Sequence, residues 1–312
     1  MENLQLCFNA IVPLLLLMFL GYGLKRLHVI TAEGFHALDS LCFKIVIPVM
    51  LFYNIYTADL STGFHPGAIL FMECALVLTC LGFFFIVPRR VSNRDDAITV
   101  IHGLCHGNLA VLGLPLIANL FGENNMAIYS IMVACYSPVI NPMMVFEHEY
   151  FAGNRVAPAK LLKNIVTSPF LIGTLCGILF KALRIPLPGV VLSSVVSVRN
   201  MATPLCLVAL GGSFYFTDLA RYKKEVSLAV FLRCVAIPAV ILAAAALLGF
   251  RGIVLASLMV IFASPSATAT YSFCSSYSGS ATLAAQLVVY SSLLSILTLF
   301  LWMFSFLQLR LI

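Results

Sequence analysis

Ten long apolar runs, joined by short polar connections, decide what this 312-residue chain can fold into. Each run is about 19–27 residues, enough to cross a hydrocarbon core of about 30 Å as a helix. Water is absent there, so the backbone must bond to itself, which leaves helices or a closed barrel. Barrel strands would be about ten residues long and alternate in polarity. These runs are continuously apolar. The sequence therefore predicts an all-α integral membrane protein with about ten transmembrane helices, at 4–24, 35–57, 67–88, 97–121, 125–146, 162–183, 190–214, 226–249, 252–275 and 282–308.

The composition agrees: 62% of residues are hydrophobic and only 10% charged, against roughly 25% charged in a soluble chain. The net charge of +6 comes from loop lysines and arginines. No folded domain presents them as a basic face, so no nucleic-acid partner is expected. The ten cysteines lie almost wholly inside apolar runs and include no Cys-x-x-Cys pair. They read as small packing residues, and neither metal nor cofactor is expected. The first run lacks a basic start and a small-residue cleavage site, and Lys25 and Arg26 follow it, so it reads as a retained helix.

Alternate connections fall on opposite sides of the membrane. One side holds Lys25, Arg26, Arg89, Arg90, Arg94, Arg155, Lys160, Lys163, Arg221, Lys223 and Lys224; the other holds Lys181, Arg184, Arg251 and Arg310. The richer side is expected to be cytoplasmic, which puts both termini outside the cell membrane. The longest connection, 147–161, contains Glu147-His148-Glu149 and reads as a solvated loop rather than a metal site.

The two halves of the chain resemble each other. Pro13 and Pro169, Gly21 and Gly177, Lys25 and Lys181, and Pro48 and Pro204 are all 156 residues apart. The second spans of the halves close alike, with Thr57-Ala58-Asp59-Leu60 and Thr217-Asp218-Leu219. Pro115 and Pro265 are expected to pair at a separation of 150. Residues 1–146 and 162–312 thus form two five-helix repeats joined by 147–161. Five is odd, so the second repeat enters from the opposite side. That inverted topology lets two halves exchange roles, as secondary transporters require.

Pro115 and Pro265 lie mid-span in the fourth and ninth helices, where each removes an N–H and crowds the preceding turn. A kink is one outcome. Paired breaks at equivalent positions are the other, with half-helix N-termini open to anions and freed carbonyls open to donors or cations. Gly107, Asn108 and Gly113 accompany Pro115; Ser264, Ser266, Thr268 and further hydroxyls surround Pro265. Those hydroxyls serve either helix packing or a polar cavity. Asn141-Pro142 suggests another buried amide and another break. Lys44 is costly inside a span; it is a candidate to balance an anion, to snorkel, or to pair with Glu73. Arg199 and Arg233 read as anchors near span ends. His102 and His106 have an i, i+4 spacing compatible with zinc but no fourth ligand nearby, which leaves a proton-sensing or structural role. An intramembrane enzyme would need a nucleophile with a base or paired acids, and no such motif is present.

Several motifs together resemble the auxin efflux carrier family of membrane transporters, over essentially all ten spans. They are Pro48-Val49-Met50-Leu51-Phe52, Gly107-Asn108 through Gly113-Leu114-Pro115-Leu116, Arg233 followed by Pro238, Gly249-Phe250-Arg251-Gly252, Ala263-Ser264-Pro265, and the serines 291, 292 and 295. The resemblance implies fourth and ninth helices broken at their prolines and crossing each other. It implies a dimerising scaffold of helices 1, 2, 6 and 7, and a transport domain of helices 3–5 and 8–10 that moves as an elevator. It implies a small organic anion as substrate, with Asn108 at a position that contacts the carboxylate. The chain lacks the long central loop of the plant carriers, which favours a bacterial-type permease for a carboxylate such as malate or malonate. The expected site is Asn108, Gly113, Pro115, Asn141, Ser264, Pro265, Ser266, Thr268 and Lys44. The competing reading is a sodium-coupled organic-anion symporter of the bile-acid type. It is weakened because the expected fourth and ninth spans contain no Asp or Glu.

Overall fold

A computed structural model describes residues 2–57, 65–122, 125–154, 162–163, 166–214, 219–276 and 278–312. Among these residues the only regular elements are helices. Seven helices are long and apolar enough to cross a membrane: Asn3–Arg26, Ala32–Thr57, Pro66–Arg89, Ala127–Phe151, Gly189–Gly212, Lys223–Leu247 and Ala281–Gln308. They correspond to spans one, two, three, five, seven, eight and ten. Span six is the shorter Pro169–Ala182, separated by a turn at Thr167 from helical residues at 162, 163 and 166. Spans four and nine are each made of two pieces: Arg94–Cys105 with Leu109–Phe121, and Gly252–Ala263 with Ala269–Ser276.

The fifth span corrects an expectation. Helix continues through Asn141 and Pro142 to Phe151, so there is no break at that pair, and the first residues of the expected connection 147–161 are helical. Each proline removes one helix bond, and the turns on either side carry the helix past it. Residues 155–161 of that connection, and residues 58–60 and 217–218 of the two matching span ends, lie outside the described residues.

The chain divides into two compact units. One comprises residues 1–66, 110–138 and 166–213; the other comprises 67–109, 139–165 and 214–312. In the first unit, span one packs on span seven and span six on span two. A side chain at Gly21 would put its Cβ 2.0 Å from the Val208 carbonyl oxygen. A Cβ at Gly177 would lie 2.8 Å from that of Phe52. Both contacts are related by the same 156-residue offset, so the repeat seen in sequence is also a repeat of helix contacts. Small residues are what let two helix backbones approach this closely. Within this unit the buried Asn54 donates from Nδ2 to Ser130 Oγ (3.1 Å).

In the second unit, both first halves of the broken spans are enclosed. Every residue from Ala97 to Cys105 and from Val254 to Ala263 is buried. A helix apolar on every face belongs inside a bundle. Asn93 starts span four, its Oδ1 accepting from the backbone N–H groups of Asp95 (2.8 Å) and Asp96 (3.1 Å). The acids of that first turn suit the positive end of the helix. Near it, Ser280 N donates to Thr99 Oγ1 (2.8 Å), and Tyr222 OH lies 3.3 Å from Ser280 Oγ. The starts of spans four, eight and ten therefore share one end of this unit, the end that carries Arg94, Arg221 and Lys223. At the other end, Gly252 N donates to the carbonyl of Leu311, tying the start of span nine to the C-terminus (2.8 Å).

Candidate functional site

The first half of span four stops at His106, whose backbone turns extended (φ −93°, ψ 104°). The first half of span nine stops at Ser264, also extended (φ −62°, ψ 150°). The two extended pieces pair antiparallel, with Gly107 opposite Ser266. Asn108 N donates to the Pro265 carbonyl (2.8 Å), and Ala267 N donates to the His106 carbonyl (2.9 Å). The crossing thus replaces helix bonds with mutual ones, which is what non-helical backbone needs where water is scarce. Ser266 is fixed twice more: its N–H donates to Ser291 Oγ (3.0 Å) and its hydroxyl donates to the Gly103 carbonyl (2.7 Å).

The location of the breaks differs in part from expectation. Span nine does break at Pro265. Span four leaves helix at His106–Asn108, seven residues before Pro115, and resumes in a π-helical turn at Leu109–Gly113. Pro115 then lies inside the continuous helix Leu109–Phe121, two residues after that π-helical turn, which accommodates its missing N–H. The element starts Arg94 and Gly252, and the caps His106 and Ser264, are each 158 residues apart. Pro265 therefore corresponds to Gly107, and its pairing with Pro115 does not hold. A glycine and a proline end the two helices by different means, which hid the equivalence.

Arg233 holds the crossing together. It lies in a π-helical turn, Leu232–Ala236, and is only 2% exposed. Its Nε donates to the Ser264 carbonyl (2.8 Å) and its Nη1 to the Leu104 carbonyl (3.0 Å). Its Nη2 reaches the Ile261 carbonyl and Ser264 Oγ, each at 3.3 Å. These carbonyls belong to the last turns of the two half-helices, where intrahelical partners run out. Each such end carries about half a negative charge. One permanently charged, fork-shaped guanidinium therefore matches both. A Cβ on Gly107 would lie 2.0 Å from Arg233 Nη2 and 2.6 Å from Ser264 Oγ, so only glycine leaves room for the clamp.

What remains at the crossing is donor capacity. Among the described residues, Asn108 Nδ2 is buried with no hydrogen-bond partner, as are the hydroxyls of Thr268, Thr270 and Ser292. Asn108 is 2% exposed and Thr268 7%. Leaving such groups unpaired costs roughly 1–3 kcal/mol each, which suits a place where a ligand completes the bonding.

Among the residues expected at the site, the structure gathers Asn108, Ser264, Pro265 and Ser266, with Thr268 two residues further along. Gly113 and Pro115 are buried in the other unit, and Lys44 is exposed there, within the π-helical turn Cys42–Val46. Asn141 is half-buried on the continuous fifth helix. Glu73, proposed as a partner for Lys44, has neither carboxylate oxygen hydrogen-bonded among the described residues. Arg199 is buried near the middle of Gly189–Gly212, over the Tyr53 ring at 5.2 Å from its centroid, so it is not the span-end anchor expected. Sequence reasoning missed Arg233 as the clamp. Its signal was present, because an arginine inside a span is a functional candidate by default.

The sequence profile of the membrane transport protein family matches residues 6–303. An uncharacterized transporter of Methanothermobacter thermautotrophicus is 24% identical over 298 residues, covering 94% of this chain and 96% of the relative.

Proposed function

The chain belongs to the auxin efflux carrier family of membrane transport proteins, and we propose that it carries a small organic anion, of the malate or malonate type, across the cell membrane by an elevator form of alternating access. The observation that carries the substrate class is the balance of groups at the crossing. The carbonyls of Leu104, Ile261 and Ser264 are taken by Arg233. Asn108 Nδ2 and Thr268 Oγ1 remain unspent. Thr268 also leads into the N-terminus of Ala269–Ser276, a positive helix end. Donors beside a positive helix end suit a carboxylate. A sodium ion would compete with Arg233 for those same carbonyls, which favours the anion carrier over the sodium-coupled alternative.

The elevator reading draws support from the division of the chain. Spans one, two, six and seven fall in one unit, and spans three, eight and ten in the other. In this reading helices 1, 2, 6 and 7 of the first unit are the scaffold and pair with a second copy, while spans four and five are divided between the units, at 109/110 and 138/139. Helices 3–5 and 8–10 carry the substrate. The excess of lysine and arginine at the end of the second unit bearing Arg94, Arg221 and Lys223 faces the cytoplasm, and both termini face outward.

The test is exchange of radiolabelled malate and malonate in proteoliposomes. Saturable exchange that weakens about tenfold in apparent affinity in Asn108→Ala supports the assignment, since a hydrogen bond to a charged group contributes about 1.5–3 kcal/mol. Equal affinity in the variant, or no exchange of any small carboxylate by folded protein, overturns it.

A further inference from the structure

Three histidines of the second unit form a single file. His106 Nδ1 lies 3.0 Å from His102 Nε2, and His102 Nδ1 lies 2.8 Å from His148 Nε2. His148 Nδ1 lies 2.7 Å from the backbone carbonyl oxygen of Ser278. The His106 and His102 rings are stacked at 5.2 Å, and Phe273 packs edge-on against His102 at 5.0 Å. In a metal cage the ring nitrogens would converge on one point. Here each nitrogen addresses the next ring.

The far end of the file fixes every proton in it. A carbonyl oxygen only accepts, so His148 Nδ1 carries hydrogen and its Nε2 offers a lone pair. His102 Nδ1 must then donate to it, which leaves His102 Nε2 as acceptor for His106 Nδ1–H. All three neutral rings are thus Nδ1–H tautomers pointing the same way, with His106 Nε2 as the lone-pair end. That end belongs to the crossing, because the His106 carbonyl accepts from Ala267 and Asn108 is two residues away. The other end reaches the connection between spans nine and ten. There the Ser278 hydroxyl donates to the His148 carbonyl (2.9 Å) and lies 3.3 Å from His148 Nδ1.

We propose that His106, His102 and His148 conduct a proton between the helix crossing and the connection at Ser278, so that one proton moves with each organic anion. A proton arriving at His106 Nε2 releases the Nδ1 proton to His102 Nε2. His102 passes its own Nδ1 proton to His148 Nε2. The Nδ1 proton of His148 goes to Ser278 Oγ, which yields a proton to water, and charge balances at each hop. The resting tautomers accept traffic first from the crossing toward the connection. The charges that act on the file are Arg233 of span eight, at the His106 end, and Glu149 of span five, at the His148 end. Span nine contributes the neutral Phe273 ring. None of these histidines is needed to hold the substrate.

The inference rests on the transport reading above, and the experiment separates the two. Malonate counterflow, which needs no net proton movement, is measured beside malonate accumulation driven by a pH gradient, with the membrane potential clamped at zero. Wild type accumulates malonate about tenfold more for each pH unit of gradient. His102→Gln and His148→Gln retain counterflow and lose gradient-driven accumulation. Counterflow in wild type without any accumulation driven by the pH gradient overturns the proton path and leaves the transport reading standing. Gradient-driven accumulation that survives in His102→Gln overturns it equally. Absence of counterflow in folded wild type defeats the transport reading, and this inference with it. Where the variants fail to fold, 15N spectra of histidine-labelled wild type decide: protons on Nδ1 of all three rings support the path, and a resting Nε2–H form in any of them contradicts it.

Discussion

The two units of this protein hold their helices by opposite means. In the first, backbones touch at glycines: Gly21 against Val208, Gly211 against Met18, Gly173 against Pro48 and Gly177 against Phe52. Its exposed Lys44 stands outside these contacts. In the second, two helices are cut and then held together by a buried arginine, paired backbone and serine hydroxyls. Apolar contacts at close approach give a body with few alternative packings. Polar contacts at broken helices leave groups that can change partners. On the proposed transport reading, the first unit is the rigid one and the second is where substrate is recognised.

The largest break in that comparison is expected from Arg233→Leu. It orphans the Leu104, Ile261 and Ser264 carbonyls together, and at about 1–3 kcal/mol for each unpaired group it should abolish folded protein. Recovery of monodisperse protein after detergent extraction measures this; normal yield would contradict the clamp. Next comes Gly211→Ala in the first unit. Its Cβ would meet the Met18 carbonyl oxygen at 1.9 Å, backbone against backbone. Overpacking of this kind costs roughly 1–3 kcal/mol, read as a lowered melting temperature. Gly177→Ala, at 2.8 Å from Phe52, should lose less than Gly211→Ala, and the reverse order would mean the helices slide freely. Smaller again is Ser291→Ala, which removes the acceptor for Ser266 N and should cost about 1 kcal/mol of stability. Smallest is Lys44→Ala, expected to leave the melting temperature unchanged or slightly raised, because it removes an exposed charge from within a span.

Much of the architecture was legible because membrane helices announce themselves. A long apolar run has few other ways to satisfy its backbone, so the ten spans were read nearly in place. The 156-residue offset was legible because a glycine at a close helix contact, such as Gly21 or Gly177, is constrained residue by residue. The break in span four was not. Pro115 advertises a break, whereas Gly107 and Asn108 make one without it, through the pairing of Gly107 with Ser266, 159 residues away, that no local pattern displays. The continuous fifth span shows the converse: Asn141-Pro142 signals interruption where helix persists. Arg233 read as an anchor because its distance from a span end was counted along one helix, while its partners lie on two others. His148 read as part of a solvated loop because the helix end was placed five residues early. Its bond to His102 depends on the fold, not on spacing.

The central claim is that Asn108 at the crossing binds substrate without supporting the fold. Its most direct test is the malonate-induced rise in melting temperature of wild type and Asn108→Ala. A ligand at about 100 times its dissociation constant stabilises the folded state by about 2.7 kcal/mol, and a tenfold weaker variant gains about half of that at the same concentration. The account predicts an unliganded melting temperature in the variant equal to wild type or slightly higher, since an unpaired buried amide has been removed, together with the halved shift. An unchanged malonate shift in Asn108→Ala would place the substrate elsewhere.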